Sequence, residues 1–544
     1  MYETTDPGRP PTRAANGMVA TPHTLASSTG LDILRAGGSA VDAAIGINAV
    51  LSVAYPHMAG VGGDGFWLVA PPGGDIRGIN ASGPAAQRAS RTFYSDEREI
   101  PDRGPAAALT VPGAVDGWRL AHDAYGELPW ARLFDDAVGL AEDGVPVTAK
   151  LARWIRRDRD VLAADDRAAA TFFTDGATPA VGYQLKQPAL AASLSTIAVD
   201  GPRDGFYESD LAAAFCAGLG AESPLEPSDF ASYRAEWVEP LSVQYRGYTA
   251  HTLPPNTQGL TALQLLGLLD GVDVSAWGDG TPAYYHHLTE ATKLAFADRD
   301  AWITDPTALD IPTDDLLAAD YLSERRELIS PARAAPGGYG AGIAPPDEPS
   351  DDPPGGDTCY FTVVDESGLA VSVIQSIYFD FGAGVVAGDT GIVPQNRGAY
   401  FSLRPDSVNA LEPGKRPFHT LIPSMLTKGG EPWLCYGTMG GEGQPQTQAA
   451  LVTRLVDFGY DVQQAIEAPR WLYGRTWGTE SRSLSLEKRV PDGVVTALED
   501  RGHTVSVARS YDETMGHAQA IRIHDDGTLE GGADPRGDGS ALGF

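Results

Sequence analysis

The chain has 544 residues, of which 42% are hydrophobic, so it can bury a substantial core as two domains or as one large layered domain. Its formal net charge of −32 argues against nucleic acid and against anionic membranes as partners. No apolar run approaches the roughly 18 residues of a membrane helix, and the N-terminal residues 1–7 lack the basic and apolar regions of a signal peptide. We therefore expect a cytoplasmic protein with no membrane partner.

The acidic excess has two explanations that the sequence leaves open. The chain has 72 Asp and Glu against 40 Lys and Arg. A cytoplasm with about 1 M salt favours such a balance, because the Debye length falls to roughly 3 Å and self-repulsion is suppressed. We hypothesise a halophilic host on this ground, and the alternative is an acidic protein from an ordinary mesophile.

The first 330 residues are predicted to be mainly helical. After a mobile arm at 1–17, residues 25–53 show a helical pattern that Gly37 and Gly38 divide into two helices, with Ser39 as the N-cap of the second. A short buried strand is predicted at Phe66–Ala70. Helical segments dominate residues 105–330, with examples at Val111–Asp123, Trp130–Asp143, Gln187–Ala198 and Tyr284–Ala297.

A segment rich in proline, glycine and aspartate follows at 331–357 and is interpreted as an exposed linker. Beyond it the pattern changes to strands. These are predicted at Tyr360–Val364, Ala370–Ser376, Trp433–Tyr436, Thr504–Ala508 and Ala518–Ile523, with a helix at Thr447–Phe458. The sequence therefore predicts an α/β or α+β protein in which a linker separates a helical first part from a strand-rich second part.

The run Gly60–Gly65 matches the GxGxxG pattern of dinucleotide-binding loops. Such a loop follows a strand and opens a helix, whereas here a helical pattern precedes the run and a strand follows it. A tight glycine turn that allows close backbone packing is the preferred interpretation, and a dinucleotide oxidoreductase is the lesser alternative.

Other cofactor and metal motifs are absent from the sequence. There is no HExxH or GxSxG motif, and His286 and His287 are adjacent on a predicted helix, so they point to different faces. The three cysteines have neither metal nor disulfide spacing and are interpreted as reduced thiols. No cofactor and no metal are predicted.

Thr358 lies on the boundary between the linker and the strand Tyr360–Val364. A threonine hydroxyl becomes a useful nucleophile when the free α-amine of the same residue acts as its base, which requires a cut just before it. Gly440 and Gly441 follow a predicted strand and offer two neighbouring N–H groups to an oxyanion. Ser376 ends another strand and could hydrogen-bond the threonine hydroxyl. The alternatives are a threonine that merely starts a strand, an ordinary glycine turn and a solvent-facing serine.

Short motifs then occur in a fixed order over nearly the whole chain. They are Gly37–Ala44, Gly60–Phe66, Val111–Val115, Leu253–Gly259, Ala295–Arg299, Asp357-Thr358, Phe381–Gly384, Lys415–Pro417, Met439–Gly441, Ala468–Arg470 and Asp534–Arg536. Together they resemble the γ-glutamyltransferase family of N-terminal-nucleophile hydrolases. The resemblance implies an α+β fold, a four-layer αββα sandwich. It also implies self-cleavage between Asp357 and Thr358, into residues 1–357 and 358–544 that together form one αββα unit.

The same resemblance implies a reaction. Thr358 attacks the carbonyl of a small-molecule amide after its α-amine, with a pKa near about 8, takes the hydroxyl proton. The N–H groups of Gly440 and Gly441 hold the oxyanion, Ser376 assists the hydroxyl, and the acyl group passes to water or to an amine acceptor. The resemblance is also compatible with a homo-oligomer of processed heterodimers.

The substrate pocket departs from the family's usual pattern. Where family members bind the α-carboxylate and α-amine of a γ-glutamyl group, or carry a Ser-Ser pair, this chain has Ser82, Tyr378, Arg397, Tyr400, His419 and Thr420. A lid insertion of some members is missing between Leu403 and Pro417. These changes remove a carboxylate clamp and the anion that holds an ammonium group. We therefore predict an acyl group that is aromatic or bears a carboxylate without an α-amine, as in the cephalosporin-acylase-like and oxamate-amidohydrolase-like branch.

Three alternatives stay open at this point. The chain could be a genuine γ-glutamyltransferase or glutathione hydrolase, or an unprocessed, non-catalytic homologue that acts as a binding protein. Arg397 could face a structural carboxylate instead of a substrate. Cys359 follows the predicted nucleophile on a strand, so its side chain should point to the opposite face and belong to the core.

Overall fold

The computed structural model describes residues 8–345, 357–475 and 481–544. Within these ranges the strands are β1 (Thr12–Ala14), β2 (Met18–Thr21), β3 (Asp64–Ala70), β4 (Arg77–Ala81), β5 (Val145–Pro146), β6 (Gln184–Leu185), β7 (Glu236–Val238), β8 (Leu241–Tyr245), β9 (Tyr248–Thr252), β10 (Asp357–Val364), β11 (Ala370–Tyr378), β12 (Ser424–Lys428), β13 (Glu431–Thr438), β14 (Trp471–Tyr473), β15 (Leu484–Glu487), β16 (Val505–Ala508), β17 (Ala518–Ile523), β18 (Leu529–Ala533) and β19 (Ser540–Gly543). The helices are α1 (Thr24–Arg35), α2 (Ala40–Ala54), α3 (Ala114–Tyr125), α4 (Asp135–Asp143), α5 (Ala149–Arg157), α6 (Arg159–Ala163), α7 (Asp166–Phe172), α8 (Pro188–Pro202), α9 (Asp210–Leu219), α10 (Pro227–Ser232), α11 (Gly259–Asp270), α12 (Pro282–Trp302), α13 (Thr313–Leu317), α14 (Ala319–Glu327), α15 (Gln444–Val456), α16 (Val462–Glu467) and α17 (Asp492–Asp500).

Two long sheets stack face to face between layers of helices. One sheet has the order β1-β18-β17-β13-β12-β9-β8, and the other has the order β19-β2-β10-β11-β3-β4-β7. Apolar side chains that include Phe66, Tyr360 and Met425 fill the space between the sheets. Helices α1, α2 and α3 cover the outer face of the second sheet, and α11, α15 and α16 cover that of the first. The predicted α+β fold, a four-layer αββα sandwich, is confirmed.

Both sheets combine strands from either side of Thr358. In the first sheet β12 pairs with β9 and β18 with β1, and in the second β10 pairs with β2 and β11 with β3. Helices predominate before residue 357 and strands after it, and each of the two long sheets draws strands from both parts.

The Gly60–Gly65 run is the turn that joins α2 to β3, as the order of elements predicts. A Cβ atom on Gly62 would lie 2.2 Å from the carbonyl oxygen of Val393, and one on Gly63 would lie 2.2 Å from that of Ser376. Glycine is required here because two other backbone segments approach this closely. The turn places β3 directly beside β11, the strand that ends at the candidate site.

Most predicted helices are present with shifted ends. Residues 25–53 form α1 and α2, and Ser39 caps α2 through a capping box with Asp42. The predicted helix at 130–143 begins instead with a 3₁₀ turn before α4. Strands β7, β8 and β9 were not predicted, although Leu241–Tyr245 alternates apolar and polar residues, which is the signal that could have located it.

The first part of the predicted linker is held against α12. The backbone N–H of Ala335 and the hydroxyl of Tyr339 both donate to Oε2 of Glu290, at 3.0 and 2.7 Å. The indole N–H of Trp302 donates to the carbonyl oxygen of Ile343 at 3.0 Å. Composition alone missed these anchors, because they depend on hydrogen-bond partners in α12, about 40 residues or more away in the sequence. Residues 346–356 of the predicted linker lie outside the described residues.

No helix in the described ranges is both long enough and apolar enough to cross a membrane. Cys216, Cys359 and Cys435 are buried and form no disulfide with one another, and burial was predicted for Cys359. Cys359 packs in the core between the second sheet and its helices, whereas Tyr360 packs between the sheets. The two residues therefore point to opposite faces of β10, as strand alternation requires.

Candidate active site

Thr358 lies at an irregularity near the start of β10. The register places two residues of β11 opposite one residue of β10: Asp357 pairs with Tyr378, Cys359 pairs with Gln375, and Thr358 faces Ser376 and Ile377. A bulge of this kind re-aims side chains and is common beside active sites. The bulge brings Thr358 and Ser376, two of the predicted catalytic residues, next to each other.

The hydroxyl of Thr358 is buried and makes no hydrogen bond to any described residue. Ser376 lies alongside, but its Oγ accepts a hydrogen bond from the backbone N–H of Tyr378 at 2.8 Å. The predicted hydrogen bond between the two hydroxyl groups is therefore not formed in this uncut chain. Asp357 and Thr358 are consecutive residues of β10, so the nitrogen of Thr358 is an amide here and does not act as a base.

Gly440 and Gly441 form the turn after β13. Their φ angles of 126° and 50° fall in the region that favours glycine. The side chain of Gln258 fixes this turn, because its Nε2 donates to the carbonyl oxygens of both Gly441 and Thr420 at 2.9 Å. Gln258 thus connects the glycine turn with the segment that carries His419 and Thr420.

We expect Gln258→Met to lower kcat/KM about 10-fold, because two lost hydrogen bonds of about 1 kcal/mol each would leave the glycine turn less well ordered. Steady-state kinetics on a cleavable amide measures the effect. The matched control is Gln264→Met, since Gln264 also donates twice through its buried amide but to Asp298 and Leu316, away from the turn. An equal loss in both variants would contradict a role for Gln258 in holding the turn.

Arg397 is a fully buried guanidinium among aromatic rings. Its Cζ lies 3.8 Å from the ring centroid of Tyr378 and 5.8 Å from that of Tyr400. Nη2 donates to Oγ1 of Thr420 at 3.3 Å, whereas Nε and Nη1 have no hydrogen-bond partner within the described ranges. Burial lowers the pKa of Arg397 to about 10, so the group remains cationic at neutral pH.

A buried cation with two unused donors is chemically an anion site. Buried polar groups are nearly always hydrogen-bonded, and a guanidinium offers paired N–H groups that suit a carboxylate. No described carboxylate forms a hydrogen bond with Arg397, although Asp64 is close enough to favour its charged form. The arrangement is therefore suited to a small carboxylate that enters from outside.

Tyr378 has a φ of 80°, which is rare for an aromatic residue. Strained residues of this kind concentrate at functional sites, where the surrounding structure holds them. Here the Tyr378 ring lies against Arg397 and its backbone N–H is held by Ser376. The end of β11 thus positions Ser376 beside Thr358 and Tyr378 beside Arg397.

His419 and Ser82 have partners that the sequence analysis did not identify. Nε2 of the buried His419 lies 3.1 Å from Oδ2 of Asp64, and burial, reinforced by Arg397, lowers the pKa of His419 well below its usual value. Oγ of Ser82 donates to Oδ1 of Asn80 at 2.7 Å and accepts from Nδ2 of Asn256 at 3.2 Å. The Ser82 hydroxyl is therefore engaged in a buried amide cluster. The charged Asp64 inside the Gly60–Gly65 run was the sequence signal that could have indicated a buried partner at this position.

The candidate site is closed to solvent in the uncut chain. Thr358, Ser376, Arg397, His419 and Thr420 are each 0% exposed. An open cavity of about 600 Å³ lies instead beside Val364, at the other end of β10, where Lys428, Trp433 and His524 also line it. The open cavity and the predicted chemistry are therefore at opposite ends of one strand.

Comparison with known proteins gives one family, two related sequences and one similar structure. The Gamma-glutamyltranspeptidase family matches residues 26–544. The Glutathione hydrolase-like YwrD proenzyme of Bacillus subtilis is 46% identical over 529 residues, which covers 97% of this chain and 98% of that protein. The Oxamate amidohydrolase proenzyme of Klebsiella pneumoniae is 46% identical over 537 residues, covering 98% and 99%. The crystal structure of cephalosporin acylase from Bacillus halodurans has a TM-score of 0.89 at 37% identity, covering 100% of this chain and 99% of that one.

Proposed function

The chain belongs to the gamma-glutamyltranspeptidase family and is an enzyme of this hydrolase and acylase kind, and from that premise we propose its nucleophile, its cleavage site and its substrate class. Thr358 is the nucleophile, the chain cuts itself between Asp357 and Thr358, and the substrate is an amide whose acyl group bears a carboxylate but no α-amine. Amides of aromatic acids are the second substrate class. The buried, partly unpaired guanidinium of Arg397 is the observation that carries the substrate proposal.

Self-cleavage converts Thr358 into the residue that the reaction needs. Addition of water across this peptide bond leaves residues 1–357 with a new carboxylate at Asp357, and residues 358–544 with a free α-amine at Thr358. That amine, with a pKa near about 8, takes the hydroxyl proton and passes it to the leaving amine. Activity should therefore rise with pH as the amine loses its proton. The buried and unpartnered hydroxyl of Thr358 supports this role.

The acyl group then moves through Thr358 to an acceptor. The threonine oxygen attacks the amide carbonyl, and the N–H groups of Gly440 and Gly441 stabilise the oxyanion. Ser376 steadies the threonine hydroxyl once the cut frees the chain end. The amine leaves, and water or a second amine takes the acyl group from the ester on Thr358.

Arg397 selects the acyl group in this proposal. Its free guanidinium N–H groups donate to the substrate carboxylate, Tyr378 and Tyr400 enclose the acyl chain, and His419 and Thr420 complete the wall. A γ-glutamyl group also carries a carboxylate, but its α-ammonium would lie beside the cationic Arg397, and bringing a second cation into a buried site costs several kcal/mol. The names of the relatives, an oxamate amidohydrolase and a cephalosporin acylase, are compatible with this choice.

We expect the purified protein to cleave glutaryl or oxalyl anilides at least about 10²-fold faster than the γ-glutamyl anilide, since a desolvated, unpaired ammonium costs about 3 kcal/mol or more. A panel of γ-glutamyl, glutaryl, oxalyl and benzoyl anilides, compared by kcat/KM, measures this preference. Faster cleavage of the γ-glutamyl anilide would instead favour a genuine glutathione hydrolase. No cleavage of any anilide, together with one uncut band on a gel, would favour a non-catalytic binding protein.

Three further predictions from the sequence belong to this proposal. The protein is expected to be cytoplasmic, to come from a high-salt host and to have no nucleic-acid or membrane partner. A homo-oligomer of processed heterodimers is compatible with the family. The net charge of −32 supports the salt prediction, because strong self-repulsion is relieved when salt screens it.

A further inference from the structure

Asp64 is a buried carboxylate beside the candidate site that the proposed reaction does not use. It is the first residue of β3 and pairs directly with Ser376 in the ladder between β3 and β11. Ser376 in turn faces Thr358 across the bulge. Asp64, Ser376 and Thr358 therefore stand side by side on three neighbouring strands, which are spaced about 4.8 Å apart.

Four hydrogen-bond donors from four segments converge on Asp64. Oδ1 accepts from the N–H of Gly83 at 3.0 Å, the N–H of Gly113 at 3.1 Å and Nε2 of Gln395 at 2.9 Å, and Oδ2 accepts from Nε2 of His419 at 3.1 Å. These donors favour the anion, whereas burial favours the neutral acid and raises the pKa of Asp64 to about 7. The carboxylate is fixed in place and can still gain a proton near neutral pH.

Asp64 and Arg397 balance each other's charge without direct contact. The four donors to Asp64 do not include Arg397, yet each group favours the charged form of the other. Two further titratable groups face Asp64. His419 is kept neutral by burial and by Arg397, and the pKa of Tyr233 is raised by burial and then by Asp64. The buried site thus combines one cation with one anion.

We propose that the Asp64–His419 pair takes up one proton from solvent when a substrate carboxylate binds to Arg397. The pair thereby controls whether an anionic acyl group can bind at this site. The inference rests on the proposed carboxylate site. A second anion in a buried pocket leaves an uncompensated negative charge, which is costly. Protonation of the pair restores neutrality, and the proton belongs to the coupled pair as a unit.

The coupling makes carboxylate binding weaker as the pH rises. Below about pH 7 the pair already holds the proton, and the affinity is at its maximum. Above that pH the proton must come from solvent, and the affinity falls about tenfold per pH unit until the pKa of the liganded pair is passed. An uncharged acyl group brings no second anion, so its affinity should not show this fall.

Calorimetry of the processed protein with butyrate and with pyruvate, each of which carries a single carboxylate, tests the proposal. Titrations in HEPES and in Tris at pH 7.5 report the protons exchanged, because the two buffers differ in ionisation enthalpy. We expect uptake of up to one proton per ligand in the native protein and close to none in Asp64→Asn. The asparagine keeps the geometry, since its Oδ1 can accept the same three hydrogen bonds and its Nδ2 can donate to His419 in the other tautomer.

Asp229→Asn is the matched control. Asp229 is also buried and accepts hydrogen bonds from the N–H groups of Gln87 and Glu226, away from Arg397, so its variant should take up the same proton as the native protein. Binding without proton uptake in the native protein, or equal uptake in Asp64→Asn, would overturn this inference and leave the proposed carboxylate site standing. If neither ligand binds at any pH, the carboxylate site itself is wrong and the inference falls with it.

Discussion

Thr358→Ala is expected to leave the protein as one chain of 544 residues and to reduce amide hydrolysis by about 10⁴-fold or more, because it removes both the self-cleaving hydroxyl and the nucleophile. The native protein should show two bands on a denaturing gel, corresponding to residues 1–357 and 358–544. Mass spectrometry of the smaller fragment should find Thr358 at its N-terminus.

Two variants separate this role from a structural one. Thr358→Ser keeps a hydroxyl and should still cut itself, at a reduced rate. Thr362→Ala removes a threonine from the same strand, where its Oγ1 donates to the carbonyl oxygen of Val371 at 2.8 Å, and it should be processed normally. Cleavage of the Thr358→Ala protein into two fragments would refute the proposed nucleophile. If neither alanine variant is cleaved, the substitutions have damaged β10.

Arg397→Met is expected to lower activity toward carboxylate-bearing amides and to raise the stability of the protein. Cleavage of glutaryl or oxalyl anilides should fall about 10²- to 10³-fold, since charge-assisted hydrogen bonds contribute about 1.5–3 kcal/mol each. Cleavage of the benzoyl anilide should change little. The melting temperature should rise, because a buried cation with unused donors destabilises the folded protein. A methionine of similar shape carries no charge and no donors that need partners.

Arg454→Met provides the comparison for the melting experiment. Arg454 is also fully buried, but it pairs with Asp279 at 3.3 Å and donates to the carbonyl oxygen of Pro469 at 2.7 Å. Removing it leaves a buried carboxylate unpaired, which costs about 3–5 kcal/mol. If Arg397→Met lowers the melting temperature as Arg454→Met should, and the preference for carboxylate-bearing amides is unchanged, Arg397 is a structural residue.

The sequence predicted local features of the site better than its long-range contacts. The strand after Thr358 and the glycine turn at 440–441 follow from composition and periodicity, which act over a few residues. The contact between Asp64 and His419 spans 355 positions and depends on how two sheets stack. The bulge opposite Thr358 depends on the register between two strands, and periodicity within one strand does not determine it.

The pocket shows the same limit in another form. The motifs singled out Arg397 and Tyr378. Their stacking at 3.8 Å and the φ of 80° at Tyr378 are seen only in the folded structure. Ser82 was expected in the pocket because of its place in a motif, whereas its hydroxyl is used by Asn80. A motif fixes the position of a residue along the chain, and the partners of its side chain are decided by neighbours from other segments.

The mixed origin of both sheets bears on the order in which folding and the proposed cleavage occur. Strands β10, β11 and β19 share a sheet with β2 and β3, so neither side of the cut contains a complete sheet. While the chain is continuous, these strands are tethered and find one another as parts of one molecule, at a high effective concentration. After scission, assembly from separated fragments is a bimolecular reaction that depends on protein concentration. Under the proposed cleavage, the peptide bond before Thr358 therefore has a second role: it holds the two segments together while the sandwich assembles, and a processed molecule that unfolds lacks this link.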